Sequence, residues 1–396
     1  MKYFFILGNH PELSVTEIYS VLGESASYLA LVNGALIVEI KSLDAESLIK
    51  RLGGTIKIGE IEGEIKDLAG EIGGALSMLL QKNTKPFFGI SLYGGKYNFL
   101  PTALTIKKEI TIAERAPRFV TSKESVLSSV VVEQNKLTNG GLEMVLIMDS
   151  TSSPQEKKYW YGRTLAVQDF KELSKRDYGR PARDDASGML PPKLAQILIN
   201  LTGADFDETL LDPFCGSGTV IGEAALMGFQ NLIGTDLSAV AVNDSWKNFD
   251  YLEKSYELRV TSCEFKISNA TKISDILNSN QVDAIATEPY LGPQRGERNF
   301  VIIKKELDVL YSEALSEFKK VVKTGGRVVM VWPVFSRNTH HVSRSMVGLV
   351  EVAPNFQGWE MVDAWPEGIR NDAKGYYLYG RPGQSVWRRI VILQKK

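Results

Sequence analysis

The chain has 396 residues, 44% of them hydrophobic and 23% charged, and a net charge of −1. Those values exclude a disordered, collagen-like or coiled-coil chain, and the length predicts two or three domains. A charge near zero supplies no global field for a polyanion, though local basic patches can still steer one.

Two cysteines, Cys215 and Cys263, and three histidines, His10, His340 and His341, offer no spacing for a disulfide framework or a structural zinc site. No apolar run reaches the roughly 18 residues of a membrane span. The apolar opening over 3–7 has no cleavage pattern after it, so a cytoplasmic protein without a metal is expected.

In chain order, residues 2–7 read as a strand. Ser14-Val15-Thr16-Glu17 reads as a capping box that opens a helix running to Leu22. Strands over 35–40 and 55–61 flank a helix over 44–51. A βαββαβ-like order of this size predicts a small ferredoxin-like unit. Helical periodicity follows over 65–80, 102–115 and 125–134, with strands over 87–93, 144–148 and 159–167. The composition then shifts between Gln168 and Pro192. Lys171, Lys175, Arg176, Arg180 and Arg183 lie there among Gly, Pro and Asp, which reads as a linker whose cations are candidates for phosphate contact.

From Pro191 onward strands and helices alternate. Helices are expected over 192–201, from 218, from 238 and over 301–322. Strands are expected over 209–211, 231–235, 265–267, 282–286, 327–332 and 387–393. Strands spaced by helices predict an α/β fold with a doubly wound, mostly parallel sheet.

The strongest motif is Asp212-Pro213-Phe214-Cys215-Gly216-Ser217-Gly218-Thr219. An apolar strand ends in an acid, two glycines let the backbone approach a ligand, and a helix opens behind them. It is neither a dinucleotide fingerprint nor a phosphate loop. Asp236 ends the next strand, where a carboxylate can take both hydroxyls of a ribose, with Leu237 beside it. Asn269, followed by Ala270, ends a third strand, where its amide can reach an adenine amino group. A nucleoside without a phosphate is implied, and S-adenosyl-L-methionine is the common one. Cys215 reads as a small filler rather than a nucleophile.

A second motif, Thr287-Glu288-Pro289-Tyr290, ends a fourth strand and faces the same crevice. An exocyclic amine is a weak nucleophile because its lone pair is delocalised into the ring. A carbonyl and a side-chain acceptor can hold its hydrogens while an aromatic ring stacks on the flipped base.

With these residues the chain resembles the THUMP-domain tRNA guanine-N2 methyltransferases that act on position 10. Leu7-Gly8-Asn9-His10-Pro11-Glu12-Leu13-Ser14, Val130-Val131-Val132-Glu133-Gln134-Asn135-Lys136-Leu137, the loop from Asp212 to Thr219, and Tyr379-Gly380-Arg381-Pro382-Gly383-Gln384 with Trp387-Arg388-Arg389 are similar to family segments in the same order. The resemblance implies a ferredoxin-like domain over 1–62, a THUMP RNA-binding module over 63–166, a basic linker over 167–190, and a Rossmann-like class I methyltransferase domain over 191–396. It implies tRNA as substrate. Met189 and Leu190, after Ser187-Gly188, would pack on the methionine end of the cofactor. A small activating subunit belongs to the family in eukaryotes, but two full halves are expected to act alone.

The family's Asp-Pro-Pro-Tyr is replaced here. Thr287 can accept an amine hydrogen, or Glu288 can take the acid's role, and the carboxylate is the better acceptor for an amine gaining positive charge. An amino-methyltransferase acting on rRNA, DNA or protein stays open as an alternative, as does a non-catalytic protein binding cofactor and RNA.

Overall fold

The computed structural model describes residues 1–109, 117–149, 157–183, 189–293, 299–336, 349–367, 369 and 375–396. The chain divides into two compact units. One comprises Met1–Val15 and Leu22–Glu172, the other Thr16–Val21 and Leu173–Lys396.

The first unit runs β1 (Lys2–Leu7), α1 (Pro11–Leu22), β2 (Ser27–Val32), β3 (Ala35–Glu39), α2 (Ala45–Arg51) and β4 (Thr55–Ile65). It continues with α3 (Leu68–Gln81), β5 (Phe87–Tyr93), α4 (Leu100–Glu109), β6 (Arg118–Val120), α5 (Ser129–Gln134), β7 (Leu142–Asp149) and β8 (Lys158–Val167), and α6 (Phe170–Tyr178) crosses the division, with Leu173 onward in the second unit. Among the described residues its eight strands form one sheet in the order β2-β3-β1-β4-β8-β7-β5-β6. The expected boundary at 62/63 falls inside β4, which pairs with β1 on one side and β8 on the other. The sheet is therefore continuous across that boundary.

Two local expectations change. α1 begins at Pro11, so Ser14 is inside the helix and its hydroxyl donates to the carbonyls of His10 and Gly54 at 3.1 and 2.7 Å. Proline pre-sets the dihedral of a first helical turn, and that outweighs the capping-box pattern. α3 begins at Leu68 because Asp67 caps it, accepting from the amides of Ala69 and Gly70. Part of the helix expected over 102–115 lies outside the described residues, as do Ser187, Gly188, His340 and His341.

The second unit runs α7 (Pro192–Thr202), β9 (Thr209–Asp212), α8 (Thr219–Met227), β10 (Asn231–Asp236), α9 (Ala239–Tyr256), β11 (Ser262–Ile267), β12 (Val282–Thr287), α10 (Phe300–Val321) and β13 (Val322–Ser336). Then follow β14 (Leu349–Glu351), β15 (Trp359–Met361), β16 (Tyr377–Tyr379) and β17 (Val386–Lys395). The main path of the sheet is β11-β10-β9-β12-β13-β17-β15. β11, β10, β9, β12 and β13 are parallel, while β17 is antiparallel to β13.

The order reverses direction around β9, which is a topological switch point with a crevice beyond the strands' carboxyl ends. Leu211, Ile285, Val328 and Val391 are buried in its core with Tyr311, Leu315 and Phe318 of α10. That near-continuous apolar pattern is what a sheet covered on both faces requires.

Candidate functional site

The carboxyl ends of β9, β10, β11 and β12 open onto a cavity of about 880 Å³. Pro213, Phe214, Gly216, Asp236, Leu237, Asn269, Ala270, Glu288, Pro289 and Tyr290 line it together with Arg183. Four separate strand ends singled out in the sequence thus face one space.

The glycine loop is pinned from behind. The Cys215 amide donates to Thr235 O at 2.9 Å, and Ser245 Oγ of α9 donates to Gly216 O at 2.7 Å. Gly216 and Gly218 have φ of +51° and +83°. A Cβ at Gly218 would meet Ser245 Oγ at 3.1 Å, so both backbone conformation and close approach call for glycine there.

Asp236 is held in the cavity wall by two amides. Gly216 N–H donates to Oδ2 at 3.0 Å and Ser238 N–H to Oδ1 at 2.9 Å. Each oxygen keeps a further lone pair for a ligand hydroxyl. Asn269 is engaged differently from expectation. Its Oδ1 accepts from both the amide and the hydroxyl of Thr271, each at 3.0 Å. With both lone pairs occupied, Asn269 offers a ligand its NH₂ as donor rather than its oxygen as acceptor. Leu237 and Val240 are 71% and 69% exposed at the cavity, giving an apolar surface for a flat ring.

Several expected site residues lie beneath the cavity instead. Asp212 is buried, accepting from Phe214 N–H at 3.2 Å and Thr287 Oγ at 2.6 Å. Burial pushes its carboxyl up to about 7, against the lowering effect of those two donors. Thr287 is fully buried, its hydroxyl donates to Asp212, and it does not line the cavity where an amine would have to reach it. Cys215 is buried and contacts Ser245 Oγ at 3.5 Å, and burial raises its thiol far above neutrality. Such a thiol is inert filler. Gly218 and Thr219 belong to the helix start rather than the lining. Leu190 is buried and Met189 half-buried, and neither reaches the cavity.

The basic stretch divides in the same way. Arg176 forms a two-pronged pair with Glu223, Nε–Oε1 2.7 Å and Nη2–Oε2 3.2 Å. Arg180 is buried and donates to Thr219 Oγ at 2.6 Å. These two arginines brace α8 from inside and are not available to RNA. Lys171 and Lys175 are exposed, and Lys171 pairs with Glu133 at 2.8 Å. Arg183 is exposed, lies over the Tyr178 ring and reaches the cavity.

Around the second motif, Arg388 grips the Glu288 carboxylate through Nε on Oε1 and Nη2 on Oε2, the latter at 3.1 Å. Tyr311 Oη donates to Tyr290 O at 2.7 Å, which fixes the turn and leaves the Tyr290 ring 58% exposed. Sequence reasoning missed Tyr311 and Ser238 and gave Arg388 no role. Ser238 alone had a local signal, as the cap of α9 accepting from Ala241 N–H at 3.3 Å.

Counted over the described lining residues, Arg183 contributes +1 and Asp236, Asp244 and Glu288 contribute −3, a formal −2. Such a wall favours a cationic ligand. No group of three His, Cys, Asp or Glu among the described residues could hold a metal ion, and no described helix is long and apolar enough to cross a membrane.

Comparison with known proteins agrees with this geometry. Over 183 residues, 45% of this chain and 48% of the relative, the chain is 30% identical to the tRNA (guanine(10)-N2)-dimethyltransferase of Pyrococcus abyssi. It is 31% identical to the enzyme of that name from Methanothermobacter thermautotrophicus over 149 residues, 37% and 39% of the two chains. The chain spans about half the length of the curated relatives it matches. The crystal structure of TrmN from Thermus thermophilus shares the fold, with a TM-score of 0.55, 15% identity and all of both chains covered. That similarity places the second unit among Rossmann-like methyltransferase folds. Residues 180–347, which fall in the second unit, match the UPF0020 family model, described as an RMKL-like methyltransferase domain.

Proposed function

We propose that the protein is an S-adenosyl-L-methionine-dependent tRNA methyltransferase that modifies the exocyclic N2 amine of a guanine, with position 10 the favoured site. One observation carries the reading. The glycine loop, the amide-held Asp236, the Asn269 amide and the Glu288-Pro289-Tyr290 turn all border one cavity of about 880 Å³. That is toward the upper end of the roughly 300–1,000 Å³ usual for ligand pockets. The relatives' names supply the substrate class.

The residues fit the cofactor. Asp236 has lone pairs left for ribose hydroxyls, the Asn269 NH₂ suits a ring nitrogen of adenine, and Leu237 and Val240 suit its faces. The acidic lining suits a ligand carrying a sulfonium and an ammonium group. Bound there, the cofactor would supply an electrophilic methyl group.

The chain's own part is to present the nucleophile. Tyr290 stacks on the extruded base. Glu288 accepts one amine hydrogen, and the carbonyl of Pro289, in the same turn at the cavity, accepts the other. The nitrogen sheds its proton after it has become cationic and acidic, so no strong base is required. Orientation of this kind supplies a large part of a barrier reduction. Lys171 and Lys175, exposed on α6, are the remaining phosphate contacts of the basic stretch, with Arg183 at the cavity. The first unit, the THUMP-like half, holds the tRNA.

The test is methyl transfer from labelled cofactor to unmodified tRNA transcripts, with the nucleosides identified by mass spectrometry. N2-methylguanosine or its dimethyl form is expected. Asp236→Ala is expected to weaken cofactor binding by about 10- to 100-fold, the value of hydrogen bonds to a charged group. Tyr290→Ala is expected to lower turnover with cofactor affinity retained. A different methylated nucleoside would move the substrate, and cofactor binding without any product would remove the activity.

A further inference from the structure

We propose that Arg388 is a positioning residue for methyl transfer, its planar fork fixing the Glu288 carboxylate as an acceptor in the cavity wall. The inference rests on the function proposed above.

The topology brings the two residues together from a separation of 100 positions. β12 pairs in parallel with β13, Thr287 opposite Met330, and β17 runs antiparallel along β13 with Arg388 opposite Pro333. Arg388 therefore arrives beyond the carboxyl end of β12, where Glu288 leaves the strand. Both guanidinium contacts form, and the side chains are only 16% and 11% exposed. Yet Glu288 also lines the cavity.

The chemistry follows from counting lone pairs. A carboxylate has about four acceptor sites, and a fork-to-fork arginine uses the two that face each other. One outward lone pair on each oxygen is left. The carboxylate can then accept an amine hydrogen but cannot rotate away from it. The groups facing Glu288 are Arg388 from β17, Tyr379 from β16, Asp212 from β9, Tyr311 from α10 and Tyr290 in its own turn. Among these described groups Arg388 is the one cation. Without it, the fork that sets the carboxylate's orientation toward the amine is gone.

The experiment uses the full-length protein with saturating labelled cofactor and a tRNA transcript. Single-turnover methyl-transfer rates are measured for wild type, Arg388→Met and Arg388→Lys. Cofactor affinity by calorimetry and melting temperature are measured alongside. Arg388→Met is expected to be slower by about 100-fold, the penalty of a misplaced reacting group. Its cofactor affinity is expected to stay within about threefold of wild type.

Arg388→Lys restores the charge without the fork. It is expected to recover part of the rate and to stay about 10-fold low. A wild-type rate in Arg388→Met would overturn the inference. So would a rate loss matched by equal losses in cofactor affinity and melting temperature. Should Arg388→Met fail to fold, Arg388→Lys decides alone: an unchanged rate shows that the fork is dispensable. A wild-type protein that binds cofactor but methylates no tRNA overturns the proposed function, and the inference with it. An active wild type with an indifferent Arg388→Met overturns the Arg388 assignment only.

Discussion

Glu143 in the first unit and Glu288 in the second are both glutamates paired with a cation away from bulk water, but they differ in what their oxygens have left. Glu143 is fully buried. Its Oε1 accepts from Lys57 Nζ at 2.5 Å and Ser91 Oγ at 2.6 Å, and its Oε2 from Thr164 Oγ at 2.6 Å. Lys57 also donates to Leu127 O at 2.7 Å, and Leu127 N–H donates to Ser91 Oγ at 2.9 Å. That network closes on itself and ties β4, β5, β7 and β8 in one register. Glu288 has one arginine and a cavity in front of it. The first arrangement fixes a fold, and the second leaves acceptors for a ligand.

Opening the closed network should give the largest change in stability. Glu143→Ala strands the Lys57 ammonium, and breaking a buried pair from one side costs about 3–5 kcal/mol. Urea unfolding of the full chain, followed by a probe in the first unit, is expected to show that loss. Lys57→Met combined with Glu143→Leu should recover part of it, because no charge is then buried. The recovery is incomplete, since the hydroxyls of Ser91 and Thr164 lose their acceptor. Full stability in Glu143→Ala would show that the network is not closed in solution.

Asp212 provides the next test. Its carboxyl titrates at about 7 when folded, above its ordinary 3.8. The folded protein therefore keeps a proton that the unfolded chain releases near pH 4. The stability gained from that proton is complete below pH 4 and is lost as the pH rises through 7. The gap corresponds to an upper bound of about 4 kcal/mol. Asp212→Asn keeps an acceptor for Phe214 N–H and Thr287 Oγ without a charge. It should be close to wild type at pH 4 and more stable than wild type at pH 8. Melting curves at the two pH values check this, and equal differences at both would place the ionisation elsewhere.

The loop and turn motifs were legible because their chemistry is local. Gly216 and Gly218 announce a backbone that other residues resist, and an acid closing an apolar strand announces Asp236. The side of the wall on which each residue falls was not legible. Asp212 and Asp236 both end parallel strands, but one is sealed by Thr287 and the other is held open by two amides. That distinction depends on strand register, which a single sequence does not print. Arg388 was similarly hidden, because its partner lies on a strand two places away in the sheet. The inward placement of Arg176 and Arg180 was hidden for a related reason. α6 amphipathicity directs Arg176 inward to Glu223, while composition registers only charge.

Lys171 gives the smallest expected effect and probes the same division between inward and outward cations. Its ammonium is 57% exposed and its partner Glu133 35%, and the contact with Glu133 raises its already basic amine. Water and salt screen such a pair, so Lys171→Ala should leave the melting temperature unchanged. If Lys171 meets a phosphate, tRNA affinity should fall modestly and equally for all transcripts. The slope of log affinity against log salt should become shallower by about one. Arg180→Ala should do the reverse, loosening Thr219 and the cofactor loop without changing that slope. A salt slope that responds to Arg180 and not to Lys171 would mean that Arg180 and not Lys171 meets the phosphates, and the inward and outward roles would have to be exchanged.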